Sequence, residues 1–168
     1  MTDATVKVEG KRPVIRFERH LIDPPEVVWQ ALTDREQLKR WFPCDIVTDE
    51  WKVGAALSFE FREGKWPPLT GRVLECDEPR VLAYTWGEET LRFELTPERS
   101  SGTHLILTDE LDGGVAARNA AGWDECLDRL EGGWEQGGGW KHRFDHYVAA
   151  FEPVLGPQEG PPPGFEPE

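Results

Sequence analysis

Val115-Ala116-Ala117-Arg118-Asn119-Ala120-Ala121-Gly122-Trp123-Asp124-Glu125-Cys126-Leu127-Asp128-Arg129-Leu130-Glu131-Gly132 is a run in which apolar residues return every three or four positions. Ala116, Ala120, Trp123, Leu127, Leu130 and Trp134 fall at steps of 4, 3, 4, 3 and 4. That spacing lays an apolar stripe along one helix over about 115–132. Asp112-Gly113-Gly114 precedes it, and Gly132-Gly133 with Gly137-Gly138-Gly139 reads as a stop and a flexible linker. Trp140, Phe144, Tyr147 and Phe151 then repeat the helical spacing, which predicts a last helix over 140–151.

Upstream the period is two. Ile15, Phe17 and Leu21 alternate with Arg16, Glu18 and His20 from Pro13 onward. Further alternating runs lie at 55–61, 71–76, 82–86, 91–95 and 103–107, with a short apolar pair at Ile46-Val47 and turns between the runs. Such spacing predicts an antiparallel meander with one buried face. Between the first strand and the rest, Asp23-Pro24-Pro25-Glu26 and Thr33-Asp34-Arg35-Glu36 each carry helix-start signals, so two short helices follow, the second ending near Trp41-Phe42-Pro43. A sheet with one apolar face needs a cover, and the 115–132 helix has the apolar length to provide it. The expectation is an α+β fold: a curved antiparallel sheet wrapped around a long C-terminal helix. Residues 1–12 read as a flexible lead-in, 13–151 as the domain, and 152–168 as a disordered tail with six Pro, three Gly and four Glu.

Composition narrows the function classes. The chain has 168 residues, with Lys+Arg 19 against Asp+Glu 32 and a formal net charge of −13. That field repels phosphates, so neither nucleic acid nor an anionic membrane is an expected partner. Eight Trp speak against a disordered acidic chain. No apolar run is long enough for a membrane span, and Met1 to Arg19 holds no signal-peptide core. Cys44, Cys76 and Cys126 are odd in number and far apart, reading as reduced thiols of a cytoplasmic protein.

The stretch Glu18-Arg19-His20-Leu21-Ile22-Asp23-Pro24-Pro25-Glu26-Val27-Val28-Trp29-Gln30-Ala31-Leu32-Thr33-Asp34, followed by Leu38 and Trp41-Phe42, resembles the opening of the heat-shock-protein-90 ATPase activator homologue family. That family belongs to the START-like, or SRPBCC, helix-grip superfamily. Gly71-Arg72-Val73-Leu74-Glu75, Leu82-Ala83-Tyr84-Thr85-Trp86, Gly102-Thr103, Gly122-Trp123 and Cys126-Leu127 extend the resemblance over about 13–150. It implies a helix-grip fold and a hydrophobic cavity between helix and sheet, and only weakly a chaperone partner. Family members often carry a histidine near the end of the last strand, where this chain reads Thr108-Asp109-Glu110-Leu111.

The cavity wall is expected among Trp41, Phe59, Phe61, Tyr84, Trp86, Phe93, Leu107, Trp123 and Leu127. The catalytic candidates are Glu75, Asp109 and Arg19. Glu75 shares strand parity with Val73, Asp109 with Leu105 and Leu107, and Arg19 with Ile15 and Phe17. Facing inward, the carboxyls would be desolvated and suited to acid–base work. No zinc, phosphate-loop, dinucleotide or nucleophile-elbow motif is present, so neither a metal nor a cofactor is expected. His142 and His146 flank Asp145 at i, i+4 without an evident third ligand, and His20 and His104 read as surface residues. The leading expectation is a module that binds a small apolar or amphipathic molecule. The alternatives are an enzyme resembling polyketide cyclases and dehydratases, or a protein-interaction module (a chaperone cofactor or homodimer) using loop aromatics such as Trp51 or Trp66.

Overall fold

The computed structural model of the protein describes residues 3–64, 66–132, 139–162 and 165. Trp134, Gly133, Gly137, Gly138 and the last residues of the tail lie outside the described residues, so the stripe is traced from Ala116 to Leu130. Eight strands form one antiparallel sheet: β1 (Thr5–Glu9), β2 (Arg12–Leu21), β3 (Asp45–Val47), β4 (Ala56–Glu60), β5 (Leu69–Asp77), β6 (Val81–Trp86), β7 (Glu89–Pro97) and β8 (Thr103–Glu110). Their order is β1-β2-β8-β7-β6-β5-β4-β3, so the meander from β3 to β8 closes back onto β2. The helices are α1 (Pro25–Thr33), α2 (Arg35–Trp41), α3 (Ala116–Leu130) and α4 (Trp140–Leu155).

Alternation sets the faces. On β8, Thr103, Leu105, Leu107 and Asp109 are buried while the residues between them are half-buried or exposed; β7 does the same with Leu91, Phe93 and Leu95. The buried side is the concave one, and α3 lies in it: the Trp123 indole N–H donates to Asp109 of β8, and Arg19 of β2 pairs with Asp124. Helix α4 covers the other side of α3 through Arg143–Asp128 and Tyr147–Asp124. A helix buried on both sides needs small residues, and α3 supplies Ala116, Ala117, Ala120 and Ala121, all fully buried.

Several expectations are corrected here. The lead-in is a strand: Thr5–Glu9 pairs with Arg12–Arg16, and Ala4 is buried with its amide donating to the Tyr147 hydroxyl at 3.0 Å. Its hydrogen bonds go to a neighbouring strand, which composition does not report. Asp23 does not cap α1; Pro24 occupies that position without a side-chain bond, and Pro25 opens the helix. Asp34 does cap α2, accepting from the Gln37 amide at 3.1 Å. Helix α4 runs past 151 to Leu155, with Pro153 inside it. Beyond it, Gln158 accepts from the Ala117 amide and donates to the Gly113 carbonyl, both at 2.8 Å, and Phe165 lies 4.9 Å from the Trp140 ring. These described parts of the tail are docked on α3 and α4 because they satisfy backbone groups left over at the start of α3.

Candidate functional site

The space between α3 and the sheet is filled with rings. Trp123 stands 5.4 Å from Trp86 and 5.5 Å from Phe42, centroid to centroid. Phe42 meets Trp41 at 5.4 Å, Trp41 meets Phe93 at 6.1 Å, and Tyr84 bridges Phe93 and Phe59 at 6.1 and 5.9 Å. These are edge-to-face and offset contacts of a packed interior. Of the expected wall residues, Trp41, Phe59, Tyr84, Phe93, Leu107, Trp123 and Leu127 are buried in one cluster, with Trp86 and Phe61 packed on its margin. Seven bulky rings, Trp41, Phe42, Phe59, Tyr84, Trp86, Phe93 and Trp123, thus pack against one another there. Trp41 and Phe61 each border an open cleft, and these are two different clefts.

The three candidate polar residues part company. Glu75 is exposed and pairs with Arg92 on the outer face, because a bulge between Val73 and Glu75 breaks the parity that would have turned it inward. Arg19 is buried, as its parity predicts. It donates to Asp124 at 2.9 Å and reaches Glu131 at 3.2 Å, so it neutralises a carboxylate instead of facing a hollow. Burial raises the Asp124 carboxyl while Tyr147 and Arg19 hold it down. Tyr147 donates to Asp124 and accepts from Ala4, which ties β1, β2, α3 and α4 into one buried network.

Asp109 is fully buried on β8. Its Oδ2 accepts from Trp123 at 3.1 Å, and its Oδ1 meets no ordinary donor among the described residues. Its neighbour is Glu89 of β7, whose two oxygens accept from Asn119 of α3 at 2.8 and 2.9 Å. Burial and the adjoining Glu89 charge push the Asp109 carboxyl well above its ordinary range. Burial also raises the neighbouring Glu89 carboxyl, so each of the two acids is harder to ionise beside the other. The sequence hid this partner, since Glu89 falls in a turn signal.

An open cleft lies elsewhere, where the end of β2, helices α1 and α2 and the last turn of α3 converge. It encloses ≈ 410 Å³. Val28 and Trp41 floor it, Trp41 being fixed by its indole N–H donating to the Ala31 carbonyl at 2.8 Å. Ile22 stands at its rim with 91% of its surface exposed, and Val27 beside it is also exposed. Arg40 and Arg129 line the same cleft; Arg129 is tied to Glu125 at 3.8 Å, and Arg40 makes no ion pair with a described residue. A smaller cleft of ≈ 350 Å³ lies between α2 and β4, around Cys44 and Phe61.

The remaining candidates are placed as follows. Trp51 is packed, donating to the Thr33 carbonyl at 2.8 Å, and Trp66 stands edge-on to Phe61, so neither forms an exposed aromatic patch. His142 and His146 are exposed on α4, His146 bonding to Asp3 at 3.0 Å. His20 and His104 sit on the outer face of the sheet with stacked rings. Burial pushes the Cys44 and Cys126 thiols up to about 12. No described helix is long and apolar enough to cross a membrane.

Comparison with known proteins places this architecture. The family described as Activator of Hsp90 ATPase homolog 1-like protein matches residues 23–135. No curated protein matches the chain. Among solved structures, EF2215, a conserved protein from Enterococcus faecalis, superposes with a TM-score of 0.78 at 21% identity, over 90% of this chain and 91% of its own. CalU16 from Micromonospora echinospora gives 0.68 at 21% identity, over 91% and 94%. DynU16, from the dynemicin biosynthetic locus, gives 0.60 at 23% identity, over 70% of this chain and 45% of its own. At these identities the likeness is one of fold.

Proposed function

Because the chain belongs to the Activator of Hsp90 ATPase homolog 1-like family, with its helix-grip fold, we propose that it binds a small amphipathic molecule bearing an anionic group. The seat is the cleft between α1, α2 and the end of α3, not the ring-filled interior. One observation carries this reading: Ile22, 91% exposed, overhangs a cleft that also holds Arg40, a cation without an ion pair among the described residues. An exposed large apolar side chain beside an unmatched charge suits a ligand with a greasy body and a charged end. The chain's overall charge of −13 makes an unmatched arginine there more telling.

The test is a titration with decanoate and with its methyl ester, followed by Trp fluorescence. Decanoate saturates at one equivalent, the ester binds more weakly, and Arg40→Glu abolishes the difference between them. Ile22→Asp weakens both. An unsaturable response, or equal binding by Arg40→Glu, would overturn the assignment.

A second reading, acid catalysis of the polyketide-cyclase type, is favoured by the buried Asp109 beside Glu89, its carboxyl pushed well above the ordinary range. CalU16 and DynU16 share its fold, and DynU16 comes from a biosynthetic locus. That chemistry predicts turnover lost in Asp109→Asn, whereas the binding reading predicts unchanged decanoate affinity in the same variant.

A further inference from the structure

We propose that Glu18, His20 and His104 form a binding site for a divalent transition ion of the zinc class on the outer face of the sheet, with Glu98 as the residue that orients it. His20 and His104 are direct cross-strand partners in the β2–β8 ladder. Their rings stack at 4.9 Å with an interplanar angle of 14°. Glu18 lies two positions before His20 on the same face, and its carboxylate meets His104 Nε2 at 2.5 Å. One donor atom from each of the three residues lies within 4.8 Å of the others. Tetrahedral donors at about 2.1 Å from zinc stand about 3.4 Å apart, so modest side-chain rotation closes this set on an ion.

The surroundings fit that role. Glu98, in the β7–β8 turn, meets His20 Nδ1 at 2.8 Å, which leaves Nε2 as the other ring nitrogen. A carboxylate holding one imidazole nitrogen while the other faces a metal is the common outer-shell arrangement. The turn is fixed by its own backbone bonds, Glu98 N–H to the Gly102 carbonyl at 2.9 Å and Ser101 N–H to the Glu98 carbonyl at 3.1 Å. Arg16 bonds the second Glu18 oxygen at 3.2 Å, so Glu18 offers one oxygen. Two carboxylates, Glu18 and Glu98, thus stand beside the two imidazoles with this one arginine. Two imidazoles and one carboxylate suit zinc, cobalt or copper, whereas calcium and magnesium want oxygen donors. The site is open to water for the fourth position, His20 being 67% exposed in its side chain.

His142 and His146 on α4 are the obvious competitors for an added ion. There His146 meets Asp3 and Asp145 is tied to Lys141, and among the described residues the donors of that set do not gather within 4.8 Å of one another as Glu18, His20 and His104 do. His20 also borders the α1–α2–α3 cleft, yet the site stands whether or not the cleft binds anything.

The experiment uses tag-free full-length protein, titrated with cobalt(II) by visible absorption and with zinc(II) by calorimetry. The expected result is saturation at one equivalent, with the cobalt spectrum of a four- or five-coordinate nitrogen–oxygen site. His20→Asn and His104→Asn each weaken zinc binding at least tenfold. Glu98→Gln weakens it about tenfold through lost orientation. The His142→Asn, His146→Asn double variant binds as the parent does. Circular dichroism of each variant confirms folding, since all of these side chains are outside the core. Absence of a saturable phase would overturn the proposal. So would unchanged affinity in the His20→Asn, His104→Asn double variant, or loss of binding in the α4 double variant instead.

Discussion

The indole N–H of Trp123 donates to Oδ2 of Asp109 at 3.1 Å, so the covering helix is pinned to the last strand of the sheet by a fully buried acid. The other side of that acid is Glu89, and burial together with the adjoining Glu89 charge pushes the Asp109 carboxyl well above its ordinary range.

The stability of the protein therefore carries a pH signature. Asp109 is held above its ordinary range when folded. As pH rises past the range of an unfolded aspartate, the unfolded chain releases this proton and the folded chain keeps it. The unfolded state then binds fewer protons, and stability falls as pH climbs toward the folded value. Asp109→Asn cannot ionise. Its stability relative to the parent is expected to rise with pH once the range of an unfolded aspartate is passed, by at most about 1.4 kcal/mol per pH unit. A pH-independent difference would mean that Asp109 is ionised in the fold.

Arg19 and Asp124 make a second test. Both are buried, and once the arginine is gone Asp124 loses its ion pair and keeps the Tyr147 hydroxyl and the more distant charge of Arg143. Arg19→Met should cost about 3–5 kcal/mol in urea unfolding, because it strands a carboxylate. Adding Asp124→Asn should recover part of that loss. A single-variant cost below about 1 kcal/mol would contradict the buried pairing.

The filled grip is directly measurable. Trp123→Ala removes a ring wedged between Phe42 and Trp86, at an expected cost of about 3–5 kcal/mol. The apolar hole left behind should take up indole, which raises the variant's melting temperature and leaves the parent's unchanged. Equal stabilisation of the parent by indole would show that a hollow already exists.

Thiol chemistry separates the cysteines. Cys44 and Cys126 are buried with their thiols pushed up to about 12, and Cys76 is half-buried with its thiol raised less far. Ellman's reagent near neutral pH should slowly label one thiol in the folded protein and all of them in denaturant, and Cys76→Ser should abolish the slow phase. Fast labelling of two thiols would contradict this burial.

Periodicity carried the architecture well where one face is wet and the other dry. The β7 and β8 runs, the α1–α2 break at Asp34 and the α3 stripe through Leu127 all lie close to where alternation and capping put them. It fails at the lead-in, where Val6 and Val8 do alternate with Thr5, Lys7 and Glu9 but over too short and polar a run to stand out before its pairing with β2 is seen. Glu75 was misread because one extra residue in a bulge reverses every later parity on β5. Sequence counts rings without measuring the space they share, so it does not tell which of them line a wall and which fill the core. The pairs that matter chemically, Asp109 with Glu89 and His20 with His104, come from strands whose register one sequence does not disclose.

Gln158 closes the amide of Ala117 and the carbonyl of Gly113 like a clasp, although it lies beyond the end of α4. A proteolytic nick just after Leu155 would leave every helix and strand whole, yet would unbuckle the first turn of the helix on which the grip depends. Trimming that proline-rich extension, or fusing a bulky partner close behind it, is therefore a change to the interior of the molecule.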